Sequence, residues 1–380
     1  MKSNYKTIED LVIRIDERNF NNETDILLGV SIDKCFIPSV ANTIGTDLTK
    51  YKLIRKNDFA VSLMQVSRDS RIPIARQKGF EVAMMSPAYP IFRVKNPDEI
   101  LPEYLEMWFK RDEFDREAAF IAVGGVRGSM PWNEFAQMQV YVPDIEQQKK
   151  MVEAYKIVED RIELKRKIND NLAATLDTLF CKLYEQLSDD DSVSLDTVCS
   201  LASSKRVFAD DYSETGIPFY RGKEITLKQF GKPITEPLYI EKEHFTSLKE
   251  KYGIPTKGDI LITAVGTIGN SYFVRDEEFY FKDGNIIWLK DFKRNLNYYI
   301  YDFMQTKIFK QMLDGICIGS TQTALTIVAL SNLQIKLPKK SFLDEYTKQS
   351  IAVRTQIELN TDEISYFYEL QSILLAELSR

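Results

Sequence analysis

A long amphipathic pattern occupies the middle of the chain, from Glu146 to Leu187. The stretch has 42 residues (187 − 146 + 1) and contains neither proline nor glycine. Its apolar residues recur mostly at steps of three and four, which predicts one apolar stripe on an α-helix. Such a helix would be about 63 Å long, and a narrow stripe on so long a helix indicates a partner helix. The residues expected to face the partner are Tyr155, Val158, Ile162, Leu172, Leu176, Leu179 and Leu183.

A second long pattern covers residues 342–378 and also lacks proline and glycine. Its expected pairing residues are Val353, Ile357, Ile364, Phe367 and Leu374. We predict that the two helices pair with each other in antiparallel fashion, although each could instead pack on its own domain. Their remaining charged faces, including Glu163 and Lys165, are expected to point outward.

The segments that precede the two helices repeat each other. YKLIRKND (51–58) matches YGIPTKGD (252–259) at an offset of 201, and MQVYVP (138–143) matches LQIKLP (333–338) at an offset of 195. Between these anchors, each half shows strands, a helical pattern (103–120 and 298–313) and a small-residue loop (122–132 and 315–325). Residues 135–143 are predicted to form a strand.

The repeat predicts an internal duplication. We expect an α+β protein with two similar α/β domains, 1–145 and 188–340, separated by an antiparallel coiled coil of two long helices, 146–187 and 341–380.

Composition restricts the chemistry. Charged residues make up 28% of the chain and hydrophobic residues 44%, which is ordinary for a folded protein. Signal-peptide and membrane-spanning patterns are lacking, so we expect a cytoplasmic protein. The four cysteines are scattered and there is one histidine, His244; we therefore expect neither a metal site nor a nucleophile–base triad. The net charge of −6 argues against a nucleic-acid binder, but residues 61–80 are locally basic.

Three patterns imitate enzyme motifs. Ser86-Pro87-Ala88-Tyr89 resembles the base-holding motif of amino-methyltransferases, but a glycine-rich loop for the methyl donor is lacking. Pro143-Asp144 with Glu163 and Lys165 imitates a metal-dependent nuclease, but Glu163 and Lys165 would lie on different faces of a helix. Gly266–Gly269 is too short for a phosphate-binding loop. We therefore predict that the chain has no catalytic residues.

Several segments form a recognisable set. In the first half these are SVANTIGTDLTKYKLIRKNDFAVSLM, SPAYPIFRVK, PEYLEMWFKRDEFDREAAF and VRGSMPWNEF; in the second they are PFYRGKEI and GDILITAVGTIGNSYFV. These segments resemble the target-recognition domains of type I restriction–modification DNA-specificity subunits. The order domain–helix–domain–helix is the most specific feature, and the resemblance covers essentially the whole chain. The EQQK sequence that opens the first long helix is absent from the second copy, which reads PKKSFLDEY.

The resemblance implies a non-catalytic subunit without a cofactor of its own. Each domain would read one part of an interrupted double-stranded DNA site, and the helices would set the unread gap. Two methyltransferase subunits would dock on the chain and methylate a flipped-out adenine with S-adenosylmethionine. Restriction/translocase subunits would add ATP- and Mg-dependent cleavage.

The candidate DNA contacts are basic or polar residues in the predicted loops. Arginine suits guanine, and asparagine or glutamine suits adenine, because each can bond two atoms of one base edge. Those expected at phosphates are Arg68, Arg71, Lys205, Arg206 and Lys223; those expected at bases are Arg127, Ser129, Arg221, Thr267, Lys282, Asn285, Thr321 and Gln322. For each, a solvated loop position is the alternative.

Two other functions fit the same sequence. A non-catalytic scaffold with protein-binding end domains on a coiled-coil rod would suit the acidic pI of about 5.3. A standalone methyltransferase is the second alternative.

Overall fold

The structure is a computed structural model that describes residues 4–39, 45–64, 66–124, 128–234, 236–317 and 324–379. The chain divides into two compact units. Unit 1 comprises Met1–Ile162 and Tyr366–Arg380, and unit 2 comprises Glu163–Ser365. Two long helices, α6 (Ile145–Tyr184) and α12 (Lys340–Ala376), contribute residues to both units.

Within its described residues, unit 1 contains two four-stranded sheets, β2-β9-β6-β7 and β4-β3-β8-β5, and the pair β1-β10. The β3–β8 pairing is parallel, whereas the other pairings are antiparallel. The strands are β1 (Tyr5–Thr7), β2 (Val12–Ile15), β3 (Leu27–Val30), β4 (Phe36–Pro38), β5 (Lys52–Arg55), β6 (Phe59–Val61), β7 (Ile74–Arg76), β8 (Val82–Met85), β9 (Ile91–Val94) and β10 (Gln139–Tyr141). The short helices are α1 (Ile8–Leu11), α2 (Val66–Asp69), α3 (Pro102–Phe109), α4 (Asp112–Ile121) and α5 (Trp132–Gln137).

Unit 2 repeats this arrangement in the part of the chain that is described, with sheets β12-β19-β16-β17 and β13-β15-β14-β18 and the pair β11-β20. The β14–β18 pairing is the parallel one here. The strands are β11 (Ser192–Ser194), β12 (Ser200–Ala202), β13 (Tyr212–Ser213), β14 (Ile217–Tyr220), β15 (Leu238–Ile240), β16 (Ile260–Thr263), β17 (Ser271–Phe273), β18 (Tyr280–Phe281), β19 (Ile286–Lys290) and β20 (Gln334–Lys336). The short helices are α7 (Gly222–Gln229), α8 (Lys242–Tyr252), α9 (Asn297–Gln305), α10 (Lys307–Ile316) and α11 (Ile327–Ser331).

Equivalent hydrogen bonds occur in the two repeats, at positions related by the sequence offsets of the duplication. The Tyr104 hydroxyl donates to the Tyr141 carbonyl (2.9 Å), and the Tyr299 hydroxyl, 195 positions later, donates to the Lys336 carbonyl (2.7 Å). Both tyrosines are fully buried. The predicted duplication therefore extends from the order of elements to matching side-chain contacts.

The turns before β6 and β16 are also equivalent. Asp58 accepts from the Arg55 amide (2.9 Å), and Asp259, 201 positions later, accepts from the Thr256 amide (2.8 Å). The residue before each aspartate has a positive φ, 69° and 91° respectively. Both carboxylates are buried, so the KND and KGD segments form the same turn in both copies.

Two predicted single helices are each divided. The pattern at 103–120 forms α3 and α4, with Arg111 extended between them, and the pattern at 298–313 forms α9 and α10, with Thr306 extended. The Thr306 hydroxyl caps α10 by accepting from the Phe309 amide. The break lets both helices of each pair bury aromatic rings in one core, as Phe109 and Phe114 do at 5.0 Å.

The prediction of one strand over 135–143 was wrong in its first part. Residues Trp132–Gln137 form α5, and the strand β10 begins at Gln139. Phe135 is fully buried and its ring lies 5.8 Å from that of Phe92. A helical turn can bury this ring as well as a strand can. An apolar run that suggests a strand can therefore be partly helical.

The two long helices pack against each other in antiparallel fashion within unit 2. The Asn360 side chain on α12 donates to Asn169 on α6 (2.8 Å) and accepts from the ammonium of Lys165 (3.0 Å). Further along α6, the Phe180 ring lies 6.0 Å from that of Tyr346 near the start of α12. The predicted antiparallel helix pair is thereby confirmed.

The prediction that Lys165 points outward was wrong. Its side chain is only 22% exposed and pairs with Glu363 as well as Asn360. Asn360 is 1% exposed, and a buried amide needs hydrogen-bond partners. Lys165 supplies one, which is why a charged residue lies in the seam between the helices.

Candidate nucleic-acid interface

In unit 2, the β16–β17 loop carries Thr267 on a rigid support. The buried Thr263 hydroxyl donates to the Thr267 carbonyl (2.5 Å) and accepts from the Asn270 amide (3.0 Å). The Asn270 side chain in turn donates to Thr226 on α7 (2.9 Å). Thr267 itself is exposed, so the loop presents a polar side chain from a fixed backbone.

Backbone hydrogen bonds join three more segments to this loop. The Ala264 amide donates to the Asn285 carbonyl (2.8 Å), and the Leu325 amide donates to the Ala264 carbonyl (2.9 Å). The Lys282 amide donates to the Tyr220 carbonyl (2.9 Å). Residues 220–223, 264–270, 282–285 and the segment from 324 onward are therefore neighbours, although the chain separates them widely.

The segment of Lys205 and Arg206 lies beside the same cluster. The Arg206 guanidinium pairs with Asp283 (3.1 Å) and its side chain is 68% exposed. The Lys205 ammonium lies 5.0 Å from the ring centroid of Tyr252. We refer to the surface formed by 203–206, 220–223, 264–270 and 282–285 as loop cluster 2.

Arg221 has an intramolecular partner. Its guanidinium donates to Glu224 through Nη2 (2.7 Å) and Nε (3.1 Å), and Glu224 is 1% exposed. Burial raises the pKa of Glu224, but the hydrogen bonds and charge of Arg221 outweigh burial and hold this pKa below its usual range. Arg221 therefore stabilises the first turn of α7, a role that the sequence alone did not indicate.

In unit 1, Arg68 and Arg71 lie on the β6–β7 connection, which is equivalent to the β16–β17 loop. Arg68 is exposed and pairs with Asp69 through Nε (2.6 Å). Gly128 approaches α2 so closely that an added Cβ would lie 2.3 Å from the Ser67 hydroxyl. Ser129 therefore neighbours α2. We refer to residues 63–72 and 128–130 as loop cluster 1.

The same backbone hydrogen bond closes both clusters. The Met130 amide donates to the Leu63 carbonyl (2.8 Å), which matches the bond from Leu325 to Ala264 at both offsets. Three candidates, Arg127, Thr321 and Gln322, lie outside the described residues. Arg71 is partly buried, Lys223 is exposed and pairs with Glu236 (3.3 Å), and Lys282 and Asn285 are partly exposed.

Several residues at this surface were not predicted from the sequence. Asp283 and Ser203 belong to loop cluster 2, and the Gly284 amide donates to the Ser203 hydroxyl (3.2 Å). Tyr252 lies beside the cluster, against Lys205. Only Tyr252 had a signal, since it begins the repeated YGIPTKGD segment.

The helix-pairing candidates differ in burial. Tyr155, Val158, Ile162, Leu176 and Ile364 are buried, whereas Leu172, Leu179, Leu183, Val353, Ile357, Phe367 and Leu374 are partly buried. Phe180, which is fully buried, and Asn360 were not predicted. Phe180 packs on Tyr299 of α9 at 5.0 Å, a contact outside the helix pair that heptad spacing does not report.

The residues of the nuclease-like pattern have structural roles. Asp144 accepts from the Gln147 amide (3.0 Å) at the start of α6, and Glu163 pairs with Lys167 one turn later on the same helix. Among the described residues, no three His, Cys, Asp or Glu side chains are grouped so as to hold a metal ion. No described helix is both long and apolar enough to cross a membrane.

Comparison with known proteins shows which family the second half resembles. Residues 188–368 match the family model "Type I restriction modification DNA specificity domain". The second half of the chain is therefore similar to this specificity domain. The family resemblance seen in the sequence is thereby confirmed, and the matched residues include loop cluster 2.

A curated relative supports the same assignment. The chain is 33% identical over 196 residues to a putative type I restriction enzyme specificity subunit, S.HindORF215P, of Haemophilus influenzae. The alignment covers 49% of this chain and 48% of that protein. The chain thus spans about half the length of the curated relative that it matches.

A solved structure shows the fold of the whole chain. The S subunit of a type I restriction-modification system from M. genitalium aligns with 98% of this chain and 95% of its own, at a TM-score of 0.53 and 14% identity. The predicted fold class, two similar α/β domains with two long antiparallel helices, is confirmed.

Proposed function

We propose that this chain is the DNA-specificity subunit of a type I restriction–modification complex. Each unit would read one part of a bipartite, interrupted double-stranded DNA site. The chain would contribute recognition without catalysis and without a cofactor of its own, and the complex would act in the cytoplasm.

One observation carries the proposal. Loop clusters 1 and 2 occupy the same place in two copies of one fold and are closed by the same backbone hydrogen bond. The side chains they present differ: Arg68 lies on one β-strand connection and Thr267 on the equivalent one. A common frame with different polar side chains suits a protein that reads two different DNA words.

The cations of both clusters are compatible with DNA contact. Arg68, Arg206 and Lys223 are each paired with one exposed or partly exposed carboxylate. Exposed ion pairs are weak because water screens them, so phosphate oxygens can displace these partners. Phosphate contacts at these positions would offset the overall charge of −6 locally.

In this proposal residues 1–145 and 188–340 are target-recognition domains, and the long helices set the unread gap. The helices also have apolar positions that stay exposed. On α12, Tyr366 and Ile373, both in unit 1, lie seven residues apart and are 68% and 59% exposed. Heptad spacing of this kind suits a further helix, which supports docking of two methyltransferase subunits that bind S-adenosylmethionine. Restriction/translocase subunits using ATP and Mg would join them.

A salt titration tests the proposal. The chain is purified with its methyltransferase, and sequencing of methylated genomic DNA supplies the site. We expect tight binding to that site over a scrambled duplex, with log K falling steeply and linearly with log salt. Binding without sequence preference, or without steep salt dependence, would refute the DNA-reader function.

A scaffold that binds proteins through both units is the second candidate, and the acidic pI of about 5.3 favours it. It predicts a stable complex with no selective DNA binding in the same titration. Methyl transfer by this chain alone, with only the methyl donor added, would instead support the standalone enzyme.

A further inference from the structure

A buried ion pair lies behind loop cluster 1. Lys34, in the turn between β3 and β4, donates from its ammonium to Asp115 on α4 (2.7 Å) and to the Phe109 carbonyl. The two side chains are only 8% and 10% exposed. Burial lowers the pKa of Lys34, and the charge of Asp115 opposes that shift.

Asp115 also holds the backbone of the β6–β7 connection. The oxygen that accepts from Lys34, Oδ1, accepts from the Ile72 amide (3.1 Å), and Ile72 is fully buried. Ile72 directly follows Arg71, and Ser70 before it adopts the left-handed conformation (φ 51°). A non-glycine residue in that region is strained, so the turn that carries Arg71 needs an external support, and Asp115 provides one.

We propose that Asp115 is a positioning residue for DNA reading by unit 1, with Lys34 as its buried counter-charge. This inference rests on the proposed function. Asp115 fixes the backbone of the connection on which Arg68 and Arg71 lie, without itself reaching the surface. A backbone shift of this connection would move both arginines together.

Unit 2 holds its equivalent loop by another device. There the Thr263 hydroxyl and the Asn270 side chain support the loop from within and from α7. The residue at the position of Asp115, 195 later, is Lys310. Loss of the Asp115 contact should therefore impair reading of the first DNA word and leave the second word unaffected.

Three variants distinguish a positioning role of Asp115 from a general contribution to the stability of unit 1. Asp115→Ala removes both hydrogen bonds that Oδ1 accepts, from Lys34 and from the Ile72 amide. Asp115→Asn retains an oxygen that can accept from the Ile72 amide. Asp58→Ala is the matched control, because Asp58 is also a buried carboxylate of unit 1 that forms an ion pair, with Arg93 (2.6 Å). Asp58 precedes β6, whereas the β6–β7 connection follows it, so this control does not touch the connection.

The variants are assayed in the methyltransferase complex with three duplexes. The first carries the site identified by sequencing of methylated DNA, the second carries that site with one base changed in the first word, and the third carries it with one base changed in the second word. For Asp115→Ala we expect first-word discrimination to fall about tenfold, at the scale of one base contact, with second-word discrimination unchanged. Asp115→Asn should restore it. Asp58→Ala should lower thermal stability but keep both discriminations.

Hydrogen exchange at the Ile72 amide gives a readout that does not involve DNA. The amide should exchange slowly in the wild type and in Asp115→Asn, and faster in Asp115→Ala. Equal first-word losses in Asp115→Ala and Asp58→Ala, unchanged first-word discrimination in Asp115→Ala, or unchanged exchange at Ile72 would overturn the positioning role. The proposed function would fail separately, through absence of selectivity in the wild-type complex.

Discussion

Removal of the Asp302 carboxylate should strongly destabilise unit 2. Asp302 on α9 is 3% exposed and accepts from three side chains of α12: the hydroxyls of Tyr346 (2.7 Å) and Ser350 (2.5 Å) and the guanidinium of Arg354. The Arg354 side chain is 14% exposed, and its burial lowers its pKa to about 10. Asp302→Ala would leave this buried cation without its carboxylate.

The magnitude follows from the geometry. Breaking a buried, hydrogen-bonded ion pair from one side costs about 3–5 kcal/mol. Unit 2 contains 203 residues (365 − 163 + 1), and for that size about 2–4 °C of Tm corresponds to each kcal/mol. We therefore expect the transition of unit 2 to fall by about 6–20 °C.

The first copy suggests a rescue. The residue 195 positions before Asp302 is Met107, which is 3% exposed, so the equivalent site holds an apolar side chain. The double variant Asp302→Met, Arg354→Met should therefore recover much of the loss, because apolar replacement of a buried pair is often neutral. Asp276→Ala, which removes only the exposed partner of Lys257, is the control and should leave Tm unchanged.

Differential scanning calorimetry of the full chain measures all four proteins. A Tm for Asp302→Ala within about 2 °C of the wild type, a shift worth less than about 1 kcal/mol, would refute the reasoning. So would a double variant that is less stable than the single one, because the cost would then come from lost packing and not from an uncompensated charge.

The remaining predictions concern recognition of the DNA words and the length of the unread gap between them. Arg127→Ala should relax selectivity in the first word only, by about 1–3 kcal/mol if Arg127 bonds a guanine; equal losses in both words, measured by binding to singly changed duplexes, would exclude that role. One heptad added to each long helix lengthens it by about 10 Å, so the unread gap should grow by about three base pairs at 3.4 Å each. Sequencing of methylated DNA tests this, and an altered word would contradict a simple spacer.

The duplication, the two long helices and the family resemblance were all accessible from the sequence. The helices are predictable because periodic apolar positions without proline or glycine favour a helix locally. The repeat is predictable because MQVYVP and LQIKLP keep one pattern at one offset, and the Tyr104 and Tyr299 hydrogen bonds end on the β-strands within these segments.

The tertiary structure decided which polar residues lie inside and which cations already have partners. The sequence predicts that Lys165 points outward and says nothing of Asn360, yet the two residues bond each other across the helix seam. Arg221 is predicted from the sequence to contact a DNA base, and only the structure shows that it also pairs with Glu224. Asp115 and Ile72 are 43 residues apart and meet only after folding. Sequence periodicity reports the local conformation of the chain, whereas the partner of a polar group depends on long-range packing, which no local pattern records.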